Sequence, residues 1–209
     1  MILVIETASP ACSVALLDGD VLVDERHERV GRGHAERLLP MIEALLAGRR
    51  PGSILVDCGP GSFTGVRVGL AAAHGLRLGW EVPLSGYSST ALLAAGVAGA
   101  AGAGGGEKAC EVGVALVGGH GQLFVQSFAD DPLRPLDALR SLLPEEAAAA
   151  MSVRRVIGSG AAALVAARGF GVAVEADARA ADARFLPEPL RALPPRPIYG
   201  RAPDARPMA

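Results

Sequence analysis

The sequence predicts an α/β protein whose mixed sheets are flanked by helices. Three observations support this class: short apolar runs of strand length, helical periodicity between several of them, and a second set of alternating apolar residues that begins near residue 112. A chain of 209 residues has room for two small domains. Because 50% of the residues are hydrophobic and only 4% are aromatic, we expect an aliphatic, alanine-rich core.

The first half starts with patterns of β-strands. Residues 2–5 form an apolar run, and two further runs flank Asp18-Gly19, a pair typical of type I′ hairpin turns. A helix is predicted over residues 33–47, with Pro40 expected to kink it or to delay its start. The other predicted elements are strands at 13–17, 21–25, 54–57 and 82–84, and helices at 64–79 and from 88 or 89 to about 98.

This order, β-β-β-α-β-α-β-α, is typical of the ribonuclease H-like unit, from which actin-like, sugar-kinase and Hsp70-type ATPase domains are built. The second half is predicted to be an abbreviated copy, with strands at 112–116, 123–128, 153–157 and 172–174 and helices at 135–143 and 161–167. We therefore predict a domain at 1–98, a linker at 99–108, a smaller domain at 109–186 and a proline- and arginine-rich tail at 187–209 that packs back on the fold.

A glycine-rich turn joins the strand at 54–57 to the next helix, in the sequence CGPGSFTGVRVGL. Gly59-Pro60-Gly61 predicts a sharp turn, and Ser62 or Thr64 can cap the helix. A phosphate-binding loop is the alternative, since such turns before helix N-termini bind anions. The stretch lacks the Gly-Lys-Ser/Thr ending of a Walker loop, and its glycines have the spacing G-x-G-x-x-x-G instead of the dinucleotide-binding G-x-G-x-x-G.

The helix after this turn is apolar on most sides. Between residues 65 and 78 its polar side chains are Arg67, His74 and Arg77, which form one narrow strip. A helix that is apolar on most sides is buried on most sides, whereas its own sheet covers one face. Two hypotheses stay open: the helix is enclosed within its own chain, or a partner protein covers it and its small residues allow close approach.

Composition limits the compartments and partners that we expect. The net charge of −2 gives no global reason to bind nucleic acid or an anionic membrane. Cys12, Cys58 and Cys110 are widely spaced, which argues against a disulfide framework and favours a reducing cytoplasm. The first residues lack a signal-peptide pattern. Arginines recur at every fifth position from Arg191 to Arg206, and direct contact of this tail with tRNA stays open.

Candidate catalytic residues are few. The four histidines have no metal-ligand spacing, so neither a metal nor another cofactor is expected. Ser62 does not lie in a G-x-S-x-G nucleophile elbow. Glu6 ends the first strand as a lone acid without an evident base. An actin-like ATP-dependent enzyme or a peptidase that acts on its own is therefore the alternative function, and a protein without catalysis of its own is the preferred one.

Four segments resemble the TsaB (YeaZ) family of bacterial proteins, which are partner subunits of TsaD. They are ETASPACSVALLDG, GHAERLLPMIEALL, GPGSFTGVRVGLAAAHGL and PIYGRAPDA. The likeness covers the first half well and the second half loosely apart from the tail. In the second half, Gly118-Gly119-His120 stands where the family has Asp-Ala-Arg, and Gly158-Ser159-Gly160 replaces Gly-Asp-Gly.

The resemblance implies two actin-like domains without a working ATP site. It implies a heterodimer with TsaD and support for docking of the ATPase TsaE, in the complex that transfers a threonylcarbamoyl group to the adenosine beside the anticodon of tRNA. Contact with tRNA is expected only through that complex, and a homodimer is expected when the chain is alone. The partner interface is placed on the first two helices, at His34, Leu38, Met41, Gly65, Arg67, Gly69 and Ala73.

Overall fold

The structure, a computed structural model, describes residues 1–104 and 111–200. Their strands form two mixed sheets, one of five strands and one of six, and helices flank both sheets. Each sheet combines an antiparallel hairpin with parallel strands, as in ribonuclease H-like units. The predicted fold class is confirmed.

The first sheet has β1 at its centre, in the order β3-β2-β1-β4-β5. Its strands are β1 (Ile2–Glu6), β2 (Ala11–Asp18), β3 (Val21–Arg29), β4 (Ser53–Asp57) and β5 (Leu84–Tyr87). β1, β2 and β3 are antiparallel neighbours, whereas β4 is parallel to β1 and β5 is parallel to β4. Because side chains alternate along a strand, Leu3 and Ile5 of β1 enter one core and Val4 enters another.

Three helices cover the two faces of this sheet: α1 (His34–Leu46), α2 (Phe63–Trp80) and α3 (Ser89–Gly104). α1 and α2 pack on the face that carries Leu3 and Ile5. The core on the opposite face combines Val4, residues of α3 and residues of the second sheet such as Val114. Within the described residues, no helix has both the length and the apolar character needed to cross a bilayer.

The second sheet has the order β11-β10-β6-β7-β8, and β9 also pairs with β7. Its strands are β6 (Glu111–Val117), β7 (Leu123–Asp130), β8 (Leu133–Pro135), β9 (Arg140–Leu142), β10 (Arg155–Ile157) and β11 (Val172–Val174). Its helices are α4 (Pro144–Ala150) and α5 (Ala161–Arg168), which pack on the face away from α3. We call β1–β5 with α1–α3 the first lobe, and β6–β11 with α4 and α5 the second lobe.

The predicted helix at 135–143 is wrong. This segment contains β9, and the helix α4 begins only at Pro144. Tertiary contacts explain the difference: the Asp137 carboxylate accepts the backbone N–H of Ser127 at 2.8 Å, and Leu136 donates to the Ser127 carbonyl at 2.8 Å. These bonds hold the segment against β7, so they override its helical periodicity.

Smaller differences concern element ends. In the first hairpin turn Gly19 has a φ of 59° whereas Asp20 does not have a positive φ, so the turn is not of type I′. β5 begins at Leu84, two residues later than predicted. α3 continues to Gly104, so the first part of the predicted linker 99–108 is helical, and positions 105–108 lie outside the described residues, as does Cys110.

The tail crosses back to the first lobe as far as the described residues extend. After α6 (Glu188–Arg191), Leu193 exchanges two backbone hydrogen bonds with Gly86 of β5. Arg191 donates to the carbonyls of Leu186 and Arg184 and to the Asp20 carboxylate, so this arginine has a structural role. Arg201 and Arg206 of the predicted arginine series lie outside the described residues.

Candidate functional site

Two carboxylic acids lie at the carboxyl ends of the adjacent parallel strands β1 and β4. Glu6 is 0% exposed and Asp57 is 1% exposed. Glu6 Oε1 accepts the backbone N–H groups of Ala8 at 2.8 Å and Ser9 at 3.0 Å. The expectation of a lone acid at Glu6 is therefore wrong, because the sheet register brings Asp57 beside it. An acid as the last residue of a buried strand was the sequence signal for this partner.

Burial shifts the protonation of both acids towards the neutral form. It raises the pKa of Glu6 well above its usual value, and the nearby charge of Asp57 raises that pKa further. Burial also raises the pKa of Asp57 to about 7, although hydrogen bonds from Gly59 N–H at 2.6 Å and from the Ser89 hydroxyl at 2.8 Å oppose the shift. The other carboxylate oxygen of Asp57 is buried without a hydrogen-bond partner.

Glycines of α2 and of the preceding turn approach the β1–β2 turn closely. A Cβ atom on Gly65 would lie 2.0 Å from the Thr7 carbonyl oxygen, and one on Gly61 would lie 2.2 Å from the Ala8 carbonyl oxygen. A Cβ on Gly69 would lie 2.4 Å from the Thr7 hydroxyl, which itself donates to the Gly65 carbonyl at 2.7 Å. The small residues of α2 therefore serve close packing on the β1–β2 turn.

The start of α2 follows the predicted layout. Ser62 is the N-cap, and its hydroxyl accepts the Gly65 N–H at 3.1 Å, whereas Thr64 is exposed in the first turn. Gly59 has a φ of 91°, which glycine adopts without strain. Gly61 does not have a positive φ, and the close approach to Ala8 accounts for this glycine instead.

Most residues expected at the partner interface lie inside the first lobe. The buried residues among them are His34, Leu38, Met41, Gly65, Gly69 and Ala73. His34 Nε2 lies 3.0 Å from the Ser9 carbonyl and 3.1 Å from the Ala11 carbonyl, so its ring ties α1 to the β1–β2 turn. Of the predicted interface residues only Arg67 is exposed.

The solvent side of the same helices contains small and apolar residues beside charged ones such as Glu43 and Arg77, and we call its small and apolar part the outer face. On α2 it contains Thr64, Ala71, Gly75 and Leu78, and Leu78 is 76% exposed. A Cβ atom on Gly75 would meet no atom within 4 Å. On α1, Leu39 is 53% exposed. The sequence pattern did not separate this face from the buried one, because both contain small and aliphatic residues.

The polar strip of α2 binds the tail. Arg67 donates from Nη2 to the Tyr199 hydroxyl at 2.8 Å, and its guanidinium carbon lies 3.2 Å from the centre of the Phe63 ring. His74 Nε2 lies 3.2 Å from the Pro195 carbonyl. Two of the three polar residues that interrupt this apolar helix are thus explained by contacts within the chain.

A cavity of about 770 Å³ lies beside the start of α2. The first turn of α2, the β6–β7 turn and the end of the tail form its walls. Arg67 and His120 are the ionisable side chains that line it near its aromatic rings, and none of its described lining residues is an aspartate or glutamate. Within the described part of the chain, no three His, Cys, Asp or Glu side chains are grouped as a metal site would require.

Comparison with known proteins agrees with this architecture. The family model described as TsaD, tRNA N6-adenosine threonylcarbamoyltransferase, matches residues 26–162, which is more than half of the chain. The tRNA threonylcarbamoyladenosine biosynthesis protein TsaB of Escherichia coli is 44% identical over 102 residues. The chain belongs to the TsaD family, on its TsaB (YeaZ) branch. YeaZ from Pseudomonas aeruginosa has a TM-score of 0.77 at 28% identity and is covered over 98% of its chain.

The likeness to curated sequences is confined to part of each TsaB protein. The E. coli match covers 46% of this chain and 43% of that relative. TsaB of Haemophilus influenzae is 41% identical over 100 residues, which make up 44% of this chain and 41% of that relative. The matched sequence thus spans less than half the length of these TsaB relatives, whereas the structural match to YeaZ extends over 95% of this chain.

Proposed function

We propose that this TsaB-branch protein is a subunit for threonylcarbamoyl modification of tRNA adenosine, and that it acts as a scaffold without catalysis of its own. The observation that carries the scaffold role is the outer face of α1 and α2. Leu39 and Leu78 are exposed large side chains, and Ala71 and Gly75 of α2 are exposed small residues that allow a partner helix to approach. A TsaD-type subunit is the proposed occupant.

The buried acids support the non-catalytic part of this proposal. A general acid or a metal ligand must contact its substrate or ion, whereas Glu6 and Asp57 are 0% and 1% exposed. The rival function, an actin-like ATP-dependent enzyme or a peptidase, requires these acids to become accessible. Turnover of ATP by the purified chain that is lost in Glu6→Gln would overturn the non-catalytic role.

Docking to TsaD is tested by a matched pair of alanine-to-arginine variants. Ala71 is exposed on the outer face of α2, and Ala166 is exposed on α5 of the second lobe. A stable contact buries more than about 1,000 Å² in total, so an arginine within it must clash or lose water. We expect Ala71→Arg to weaken binding of the cognate TsaD-type subunit by about 30-fold or more, measured by calorimetry.

The control, Ala166→Arg, is expected to bind the TsaD-type subunit as the wild type does. Modified adenosine in tRNA, measured by mass spectrometry from cells that depend on each variant, should fall only with Ala71→Arg. Equal binding by both variants would place the contact elsewhere and contradict the role of the outer face. Docking of a TsaE-type ATPase is proposed to require the heterodimer, so it should fail with the same variant.

Self-association of the free chain is proposed to use the same surface. Without a partner, the outer face leaves Leu39 and Leu78 in water, and pairing of two copies would cover both. Sedimentation of the purified chain should show a dimer that Ala71→Arg reduces to a monomer. A dimer that persists in this variant would separate homodimer formation from the TsaD contact.

A further inference from the structure

Two of the chain's few aromatic side chains are exposed side by side at the mouth of the cavity. Phe63 is 65% exposed and Tyr199 is 58% exposed, and their ring centres are 6.5 Å apart. They are far apart in sequence, one at the start of α2 and one near the end of the tail. Only 4% of the residues in this chain are aromatic, so an exposed pair built from two segments needs a physical explanation.

Arg67 holds this pair in a fixed arrangement. Its guanidinium stacks on the Phe63 ring, lies 5.7 Å from the centre of the Tyr199 ring, and donates to the Tyr199 hydroxyl at 2.8 Å. A second donated bond, to the Phe63 carbonyl, is 3.4 Å long. A guanidinium has five N–H groups, so a stacked arginine with two bonds still has donors for an anion.

The second lobe completes the site. Phe124 and His120 line the cavity opposite α2, and Gly200 lies against the Phe124 ring, where an added Cβ would be 2.7 Å from ring atoms. The tail therefore closes the cavity at one end while α2 borders it at the other. The cavity volume of about 770 Å³ is of the size that holds a few side chains of a bound segment.

We propose that this cavity is a docking site for an extended segment of a partner protein, in which a carboxylate lies next to a large apolar side chain. Exposed tyrosine and arginine in a fixed arrangement are typical of residues that dominate binding energy at protein interfaces. Charge complementarity selects the acid: Arg67 and His120 border the cavity, and its described lining contains no carboxylate. The apolar side chain would enter between Phe63, Phe124 and Ile198.

This site is separate from the outer face proposed for the TsaD-type subunit. Arg67 and His74 of α2 contact the tail, whereas Ala71, Gly75 and Leu78 are exposed and make no hydrogen bond with its described residues 187–200. A test on the full chain without TsaD therefore leaves the docking of TsaD undecided, and the two proposals fail independently.

The test uses two pools of eight-residue peptides and amide NMR spectra of the labelled chain. In one pool Glu or Asp flanks a Leu or Phe, and in the matched pool Lys or Arg replaces the acids. We expect the acidic pool to shift the amide signals of Ser62, His120 and Tyr199, and to bind about tenfold more tightly than the basic pool. Equal shifts from both pools, or shifts from neither, would overturn the proposal.

Alanine variants of exposed aromatic residues test which of them contribute to peptide binding. The chain has another stacked pair of phenylalanine and arginine, in which the half-buried Arg168 lies 4.5 Å from the ring centre of the exposed Phe170. We expect Phe63→Ala and Tyr199→Ala each to weaken binding of the acidic pool at least tenfold, and Phe170→Ala to leave it unchanged. An equal loss of affinity for the acidic pool in Phe63→Ala and Phe170→Ala would overturn the proposal that the peptide binds beside Phe63.

The role of the Arg67 charge in selecting acidic peptides is tested by Arg67→Met, with Arg77→Met as the control on the same helix. Arg67→Met should remove the preference for the acidic pool, whereas Arg77→Met should retain it. Inorganic phosphate or a mononucleotide is the competing class of ligand. If either displaces the acidic pool at equal concentration, the cavity is a small-anion site and the peptide proposal is wrong.

Discussion

Helices α2 and α5 follow equivalent strands, β4 and β10, in the two lobes, but they are built differently. α2 has 18 residues, a serine N-cap, and glycines that bring it against the β1–β2 turn. α5 has eight residues and starts at Gly160 without a side-chain cap. The strand before α2 ends in Asp57, whereas the corresponding segment before α5 continues as Gly158-Ser159. The second lobe keeps the topology of the first and lacks its acid pair and its long exposed helix.

This difference separates what the fold requires from what the first lobe adds. Both helices cover one face of a mixed sheet, and a helix of eight residues is enough for that purpose in the second lobe. The extra length of α2 carries Ala71, Gly75 and Leu78, which are exposed. The α2 part of the outer face therefore lies on a stretch of helix that the second lobe does not have.

The largest expected contrast is between Gly65→Ala and Gly160→Ala, the same change at the start of each helix. The added Cβ at Gly65 would lie 2.0 Å from a backbone oxygen, whereas at Gly160 the nearest atom, at 2.8 Å, is the end of the Leu123 side chain. Because a backbone atom cannot move as a side chain does, Gly65→Ala should lower the free energy of unfolding by at least about 3 kcal/mol, and Gly160→Ala by about 1 kcal/mol.

Urea unfolding followed by the fluorescence of Trp80, the only tryptophan in the chain, measures this contrast. Equal losses in the two variants would show that the close approach of α2 to Thr7 does not distinguish the lobes. Gly69→Arg would not test docking, because Gly69 is buried against Thr7 and its substitution would disturb the fold first.

The acid pair, which the ends of β6 and β10 do not repeat, gives the next effect, a dependence of stability on pH. The pKa of Asp57 is raised to about 7 in the fold, above the value near 4 of an unfolded aspartate. The fold therefore favours the protonated acid, so this contribution is present at low pH and is lost as the pH rises from about 4 to about 7. Relative to Asp57→Asn, the wild type should lose on the order of 4 kcal/mol over this window.

Unfolding curves of the wild type and Asp57→Asn at several pH values check this slope. The exposed acid Glu43 provides the control, and Glu43→Gln should follow the wild type at each pH. A constant difference between the wild type and Asp57→Asn from pH 4 to pH 8 would contradict the burial of a titrating acid, because only a pKa that differs between folded and unfolded states changes stability with pH.

Local sequence patterns were sufficient for most of the first lobe and for less of the second. The helix of α2 and its Ser62 cap follow from a strand, a glycine turn and a hydroxyl at fixed spacing. Residues 135–143 have equally good helical periodicity, but they form a bridge to β7 because Asp137 binds the backbone there. A short strand that is held by a side-chain contact ten residues away leaves no periodic signal of its own.

The candidate site was predictable only in part, for a related reason. The sequence indicated that α2 is unusually apolar, but helical periodicity could not tell which side faces Thr7 and which faces water. Asp57 and Glu6 are distant in sequence and meet only through the register of β1 and β4. Tyr199 and Arg67 are separated by 132 positions and meet only because the tail crosses the first lobe.

The N-caps of the two helices give a smaller contrast. The Ser62 hydroxyl accepts the Gly65 N–H at 3.1 Å, and loss of such a cap costs about 1 kcal/mol. Ser159 precedes α5 but its hydroxyl accepts the exposed Val117 N–H instead, at 3.1 Å. Ser62→Ala should therefore destabilise the chain by about 1 kcal/mol, and Ser159→Ala should have a smaller effect. Thermal unfolding of both variants measures these two destabilisations. A larger loss of stability in Ser159→Ala than in Ser62→Ala would contradict the role of Ser62 as a stabilising cap.

The smallest expected effect is an increase in stability, and it concerns a residue of the outer face. Gly75 lies in the exposed middle of α2, where an added Cβ meets no atom within 4 Å, whereas α5 has no glycine between Ala161 and Arg168. Because glycine lowers helix stability by about 1 kcal/mol relative to alanine, Gly75→Ala should raise the free energy of unfolding by up to about that amount. In calorimetry with the TsaD-type subunit, the same variant should bind more weakly, since its methyl group keeps the partner helix further away. A variant that is more stable and binds unchanged would show that this glycine does not serve close approach at the outer face.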